Sequence, residues 1–110
     1  MKRGWVYILS SKTGKLYIGM TSDIHQRILQ HKAKEIHGFA SRYSCDRLVY
    51  FEELAHISFA IDREKELKGW RRSKKIALIE TANPNWQDLA GSWGKRMLFS
   101  GERIDESGER

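Results

Sequence analysis

The sequence predicts an α/β domain of the α+β kind, in the order β-β-α-(α)-β-α-α. Two short runs rich in β-branched and aromatic residues, Trp5 to Leu9 and Leu16 to Met20, flank the turn-forming stretch Ser10-Ser11-Lys12-Thr13-Gly14-Lys15, which reads as a β-hairpin. A third run of this kind, Leu48 to Phe51, stands alone further on. Between and after these runs the apolar spacing changes to that of helices.

In the hairpin, side chains alternate between faces, so Trp5, Tyr7 and Leu9 share one face, Tyr17 goes with Gly19, and Leu16, Ile18 and Met20 form the other set. A turn centred on Lys12 sets Tyr7 opposite Tyr17, with open space beside the phenols at Gly19. Asp23 followed by Gln26 is a helix-start signal for a short helix over 23–34. Arg27 and His31 lie one turn apart on its Ile24 and Ile28 side, held near the sheet. On spacing alone His31 reads as a helix-surface histidine.

Residues 35–45 read as a short helix or irregular connection broken by Gly38, with Phe39 and Tyr43 as packing residues in preference to a nucleic-acid contact by His37, Arg42 and Tyr43. The third strand ends at Glu52 and Glu53, which read as surface charge because strand neighbours point to opposite faces. Residues 57–70 are helical. Ile57, Ala60, Ile61 and Leu67 define an apolar stripe with Glu64 inside it and Glu66 well off it. A carboxylate aimed inward needs a partner. An ion pair with Arg27 or Lys68, a metal ion and a catalytic role all satisfy that need. After a break at Gly69, Ser73 is a candidate cap for a further helix containing Ile76 to Ile79. Pro84 closes the helical region, with Asn83 in a turn or capping role. Trp93 to Phe99 offers large apolar residues for the core or for a homodimer surface. The charged end, residues 101–110, reads as a disordered tail.

At 110 residues the chain suits one domain. No apolar run approaches membrane-spanning length, and Met1-Lys2-Arg3 leads directly into a strand, so neither a membrane span nor a signal peptide is expected. The lone Cys45 has no partner for an internal disulfide, and no Cys/His cluster has zinc-ligand spacing, which points to a cytoplasmic protein. Net charge is +6, and because the last ten residues hold two basic and four acidic side chains, residues 1–100 carry +8. With an isoelectric point near 9.6 this excess suits a polyanion binder. Its densest basic stretch holds Lys65, Lys68, Arg71, Arg72, Lys74 and Lys75, a solvated helix surface or a DNA-facing patch.

The ordered set Trp5-Val6-Tyr7, Tyr17-Ile18-Gly19, Arg27, Glu64 within Arg63 to Trp70, and Asn83-Pro84-Asn85-Trp86 resembles the GIY-YIG nuclease superfamily over roughly residues 5 to 90. It looks most like the small stand-alone bacterial members, which are related to the catalytic domain of the excision-repair C subunit. Only the tyrosine of the first motif is kept, and bulky Trp5 narrows the approach on its face. The resemblance implies a small three-stranded antiparallel sheet flanked by helices. It also implies a nuclease domain over residues 1–90, extended by an apolar segment over 91–100.

The resemblance further implies a metal-dependent endonuclease hydrolysing DNA phosphodiester bonds, structure-specific and linked to repair or recombination. Glu64 matches the metal-binding glutamate, for Mg²⁺ or Mn²⁺. Arg27 stabilises the phosphate, Tyr7 is the general base with its phenol made more acidic by Arg27 and the metal, Tyr17 orients phosphate or water, and His31 assists proton transfer. Duplex, branched or damaged DNA is the expected partner, with a protein partner or homodimer adding affinity and a nucleoid-associated location. The competing reading is a non-catalytic DNA-binding or repair-associated module on the same scaffold.

Overall fold

Each run of β-branched and aromatic residues becomes a strand: β1 (Gly4–Ser10), β2 (Leu16–Thr21) and β3 (Arg47–Leu54). The computed structural model describes residues 2–93. The strands form one antiparallel sheet in the order β2-β1-β3, so β1 is central and its Val6 to Leu9 are fully buried. The helices are α1 (Ile24–Lys32), the short α2 (Phe39–Arg42), α3 (Ile57–Lys68) and α4 (Arg72–Ala82). The alternation along β1 divides the core between two faces. Tyr7 and Leu9 pack with Ile24, Ile28 and Ala40 of α1 and α2, while Val6 and Ile8 pack with Ala60, Leu67 and Ile79 of α3 and α4. This is the three-stranded antiparallel α+β arrangement, in the predicted element order.

The hairpin register differs from the expected one. Tyr7 faces Gly19, and Tyr17 lies opposite Leu9. The turn is centred on Thr13 because the buried Ser11 organises it: its hydroxyl accepts from the Thr13 and Lys15 amides at 3.2 and 3.0 Å, and its backbone amide donates to the Lys15 carbonyl at 3.0 Å. A two-residue displacement preserves the faces. The phenols therefore remain on one side but lie diagonally, with ring centroids 6.3 Å apart.

At the start of α1 the Asp23 carboxylate accepts from the Gln26 amide at 3.1 Å, the expected cap. Arg71, not Ser73, precedes α4, because the Arg71 carbonyl already accepts from the Lys74 and Lys75 amides and places Ser73 inside the first turn. Helix α3 seats closely on β1: a Cβ at Gly4 would lie 2.6 Å from that of Ala60. Of its expected stripe, Ala60 and Leu67 are buried but Ile61 is exposed, since the helix turns that flank away from the sheet.

Three other expectations are corrected. Phe39 and Tyr43 do not enter the core; both are exposed, and their rings lie against each other at 4.7 Å. Glu52 is no simple surface charge: Arg63 grips it through Nε at 3.0 Å and Nη2 at 2.8 Å, and the Tyr50 hydroxyl donates to it at 2.5 Å. Burial pushes the Glu52 carboxyl up, but these donors prevail and hold it below its usual range, clamping β3 to α3. Glu53 pairs at the surface with Arg3. His31 is also buried rather than on the helix surface.

Asn83 caps the end of α4 and is a structural residue, as expected, donating to the Val49 and Gln87 carbonyls at 3.0 and 2.8 Å. Trp93 packs against the α1-side core. The rest of the expected 91–100 extension, the Trp93 to Phe99 dimer surface and the tail fall beyond residue 93 and lie outside the described residues. Among the described residues no helix is long and apolar enough to cross a membrane.

Candidate active site at the β2 edge

The site begins with the glycine in β2. The Tyr7 ring crosses from the central strand and lies on Gly19, where a Cβ would fall on its hydroxyl and 2.5 Å from its Cζ. The space expected beside Gly19 is filled by this ring. From there the Tyr7 hydroxyl meets Nε2 of His31 on α1 at 2.9 Å. Tyr17 completes the group, with its ring 5.4 Å from that of His31 and the Tyr7 and His31 rings 5.6 Å apart. Three of the five expected site residues thus form one aromatic cluster, with Tyr7 and His31 buried and Tyr17 half-buried.

Arg27, one turn before His31, acts on both buried groups. Burial, with the neighbouring Arg27 guanidinium adding to it, pushes the His31 imidazole down to about 4, so it is neutral at physiological pH. Burial, with the Tyr17 phenol adding to it, drives the Tyr7 phenol well above its ordinary value; Arg27 pulls the other way and does not prevail. Arg27 thus acts in the expected direction, toward a more acidic phenol, but a buried phenol loses more from desolvation than this one cation returns.

Glu64 belongs to the opposite helical layer, between the buried Ala60 and Leu67 of α3, yet it acts electrostatically on Tyr7. β2 is an edge strand, and the two layers meet around that edge. Tyr17 from the α1 side shares a depression with Lys68 of α3, Lys75 of α4 and Phe39 of α2. Glu64 is mostly enclosed and pairs with Lys68 at 3.2 Å, the second of its anticipated ion-pair partners. Among the described residues no three His, Cys, Asp or Glu side chains gather as a metal cage. One carboxylate with access to the surface is nevertheless a donor set that fits Mg²⁺ or Mn²⁺, since Mg²⁺ keeps several waters and completes its shell with substrate phosphate.

The six basic candidates divide. Lys68 and Lys75 line the depression beside Tyr17; Arg72 donates to the Gly14 carbonyl at 2.7 Å; the Lys74 ammonium lies 4.2 Å from the Trp70 ring centre. Lys65 and Arg71 are exposed. The role of Gly19 as the seat of the Tyr7 ring was missed in the sequence, although an isolated glycine inside a strand is itself a sign of close approach.

This geometry has counterparts. The GIY-YIG catalytic domain family model matches residues 3–77. A UPF0213 protein of Staphylococcus saprophyticus is 37% identical over 72% of this chain and 96% of its own length, and one of Haloquadratum walsbyi is 36% identical over 69% and 85%. The solution structure of the UPF0213 protein from Bacillus halodurans, 27% identical, superposes with a TM-score of 0.52 over 82% of this chain and 97% of that one. With a tyrosine seated on the glycine of the second motif and a family match across both helical layers, the chain belongs to the GIY-YIG catalytic domain family.

Proposed function

We propose that this protein is a divalent-metal-dependent endonuclease that hydrolyses DNA phosphodiester bonds. The observation that carries the reading is the 2.9 Å contact between the Tyr7 hydroxyl and a neutral His31, beside Arg27 and across the β2 edge from Glu64.

Hydrolysis needs a proton taken from water, charge stabilised on the phosphate, and protonation of the departing oxygen. Tyr7 does not supply a standing phenolate, so it works as a relay. Its oxygen takes a proton from the attacking water while its own proton passes to Nε2 of His31. The water oxygen bonds to phosphorus, the bond to the leaving oxygen breaks, and that alkoxide takes a proton from solvent. The arriving phosphate provides the negative charge that makes the transient imidazolium tolerable beside Arg27.

Arg27 holds the phosphate with a planar fork of donors that remains charged throughout, which lysine does not reproduce. Tyr17 orients phosphate or water at the mouth of the depression. Glu64 would hold Mg²⁺ or Mn²⁺, which when bound neutralises charge on the phosphate oxygens. Lys68 then serves as the placeholder that neutralises Glu64 between substrates. An open edge site is suited to branched, nicked or damaged DNA in repair or recombination, in the cytoplasm with the nucleoid.

The test compares wild type with Glu64→Ala and Arg27→Ala on single-stranded, duplex, flapped and branched DNA with Mg²⁺, Mn²⁺ or chelator, after circular dichroism shows each variant folded. The expected result is metal-dependent cutting that falls about 100-fold or more in each variant. Cutting that survives Glu64→Ala unchanged contradicts the metal assignment. DNA binding without cutting in all three proteins transfers the scaffold to the non-catalytic binding reading.

A further inference from the structure

A pair of exposed aromatic rings beside the site has no role in that chemistry. Phe39 and Tyr43 are 46% and 40% exposed, and their rings lean against each other across the short α2, with centroids 4.7 Å apart and planes tilted by 47°. Each also opens onto a depression of the surface. Phe39 lines the one that holds Tyr17, Lys68 and Lys75, while Tyr43 lines another with Lys12, Thr13 and Lys34. The pair therefore bridges a path from the site to the β1–β2 turn. Cations border the path: the Lys15 ammonium and the Arg42 guanidinium lie 5.1 and 5.8 Å from the Tyr43 ring centre. Among the described residues the one acid in the outer lining is Asp46.

Aromatic faces alternating with cations, without a partner in the core, match the chemistry of nucleotides joined by phosphates. Duplex DNA hides its base faces within its own stack and presents only groove edges and phosphates. Only an unpaired strand offers a base face to an exposed ring. We propose that Phe39 and Tyr43 form a stacking platform for an unpaired DNA strand leading into the site, so that the preferred substrate carries single-stranded nucleotides beside the scissile phosphate. This specificity rests on the nuclease reading above. The platform itself requires only binding.

Binding is measured with the intact chain in chelator, which prevents cutting, using a single-stranded oligonucleotide that contains 2-aminopurine and a blunt duplex of equal length. Stacking on the platform quenches the 2-aminopurine. In Phe39→Ala and Tyr43→Ala the expected result is loss of quenching and a rise in single-strand Kd of about five- to a hundred-fold, with duplex Kd unchanged. Tyr43→Phe keeps the ring and therefore keeps both signals. Both rings are exposed, so the alanine variants retain the fold, as circular dichroism confirms.

Single-strand affinity unchanged in both alanine variants overturns the platform, as does an equal loss for duplex. Concentration-dependent sedimentation of wild type, abolished in Tyr43→Ala, assigns the rings to a second copy of the chain instead. Failure of the nuclease reading is seen separately, as absence of metal-dependent cutting by wild type on any substrate while quenching persists.

Discussion

Tyr7 and His31 are driven by burial in opposite directions on the pKa scale and toward the same outcome, a neutral pair sharing one hydrogen bond. For His31 this has a consequence for stability whose sign is fixed. Its folded value of about 4 lies below the ordinary 6.5, so above pH 6.5 both folded and unfolded chains carry it neutral and its contribution is complete. As pH falls from 6.5 toward 4, the unfolded chain takes up a proton that the folded chain refuses, and up to about 3 kcal/mol is lost. Urea unfolding at pH 7.5 and 4.5 should show wild type losing more stability over that interval than His31→Gln, which has no proton to take. Parallel losses in the two proteins would sink the assignment. Activity should follow the same residue: Tyr7→Phe keeps the ring on Gly19 but removes the relay, and should abolish cutting without changing the fold. Both residues were legible in the sequence through the motif and the family resemblance, although helix spacing alone read His31 as a surface residue. Their protonation was not, because spacing places His31 near the sheet without saying that a phenol closes over it.

At the scale of the element, the hairpin sets the site through a register that depends on Ser11. The strands themselves were readable from their β-branched and aromatic runs, as were α1 from Asp23 and Gln26 and the inward position of Glu64 from helical phase. Register was not, because the alternation of Tyr7 and Tyr17 is satisfied equally by pairings two residues apart, and the choice between them falls to Ser11, whose hydroxyl accepts from the Thr13 and Lys15 amides and whose own amide donates to the Lys15 carbonyl. The same limit explains Phe39 and Tyr43: apolar residues in a short irregular stretch carry no phase with which to tell core from surface. Because Tyr7 lies on Gly19, Gly19→Ala should be severe. The contact is with a ring fixed in the core and Tyr7 has no free rotamer to retreat into, so overpacking should cost about 1–3 kcal/mol and displace the hydroxyl from His31. A double-mutant cycle with Tyr7→Leu checks this. The alanine penalty should largely vanish in the Tyr7→Leu background, whereas a penalty independent of Tyr7 would place its cause in the strand backbone.

Over the whole molecule, charge is distributed unevenly enough to orient a polyanion. Residues 65–75 hold six basic side chains and one acid, a net +5, whereas the entire chain carries +6. Almost all of the excess therefore sits at the α3–α4 junction, and the remaining residues are close to neutral. Within that stretch Lys68 is committed to Glu64, Arg72 to the Gly14 carbonyl and Lys74 to the Trp70 ring, while Lys65 and Arg71 are exposed and Lys75 opens onto the depression beside Tyr17. Phosphate contacts release counterions, so each one lost should flatten the dependence of log Kd on log salt for duplex DNA by about 0.9. Replacing Lys65, Arg71 and Lys75 together by alanine should lower the slope by about 2–3, with little effect on stability because, among the described residues, none of the three side chains is held in a hydrogen bond or ion pair. Lys2→Ala, at the start of the chain and outside the basic stretch, should leave the slope as it was. Titrations of a short duplex over a range of NaCl concentrations decide the matter: an unchanged slope in the triple variant means that the junction is a solvated helix surface and that DNA approaches the β2 edge from another side.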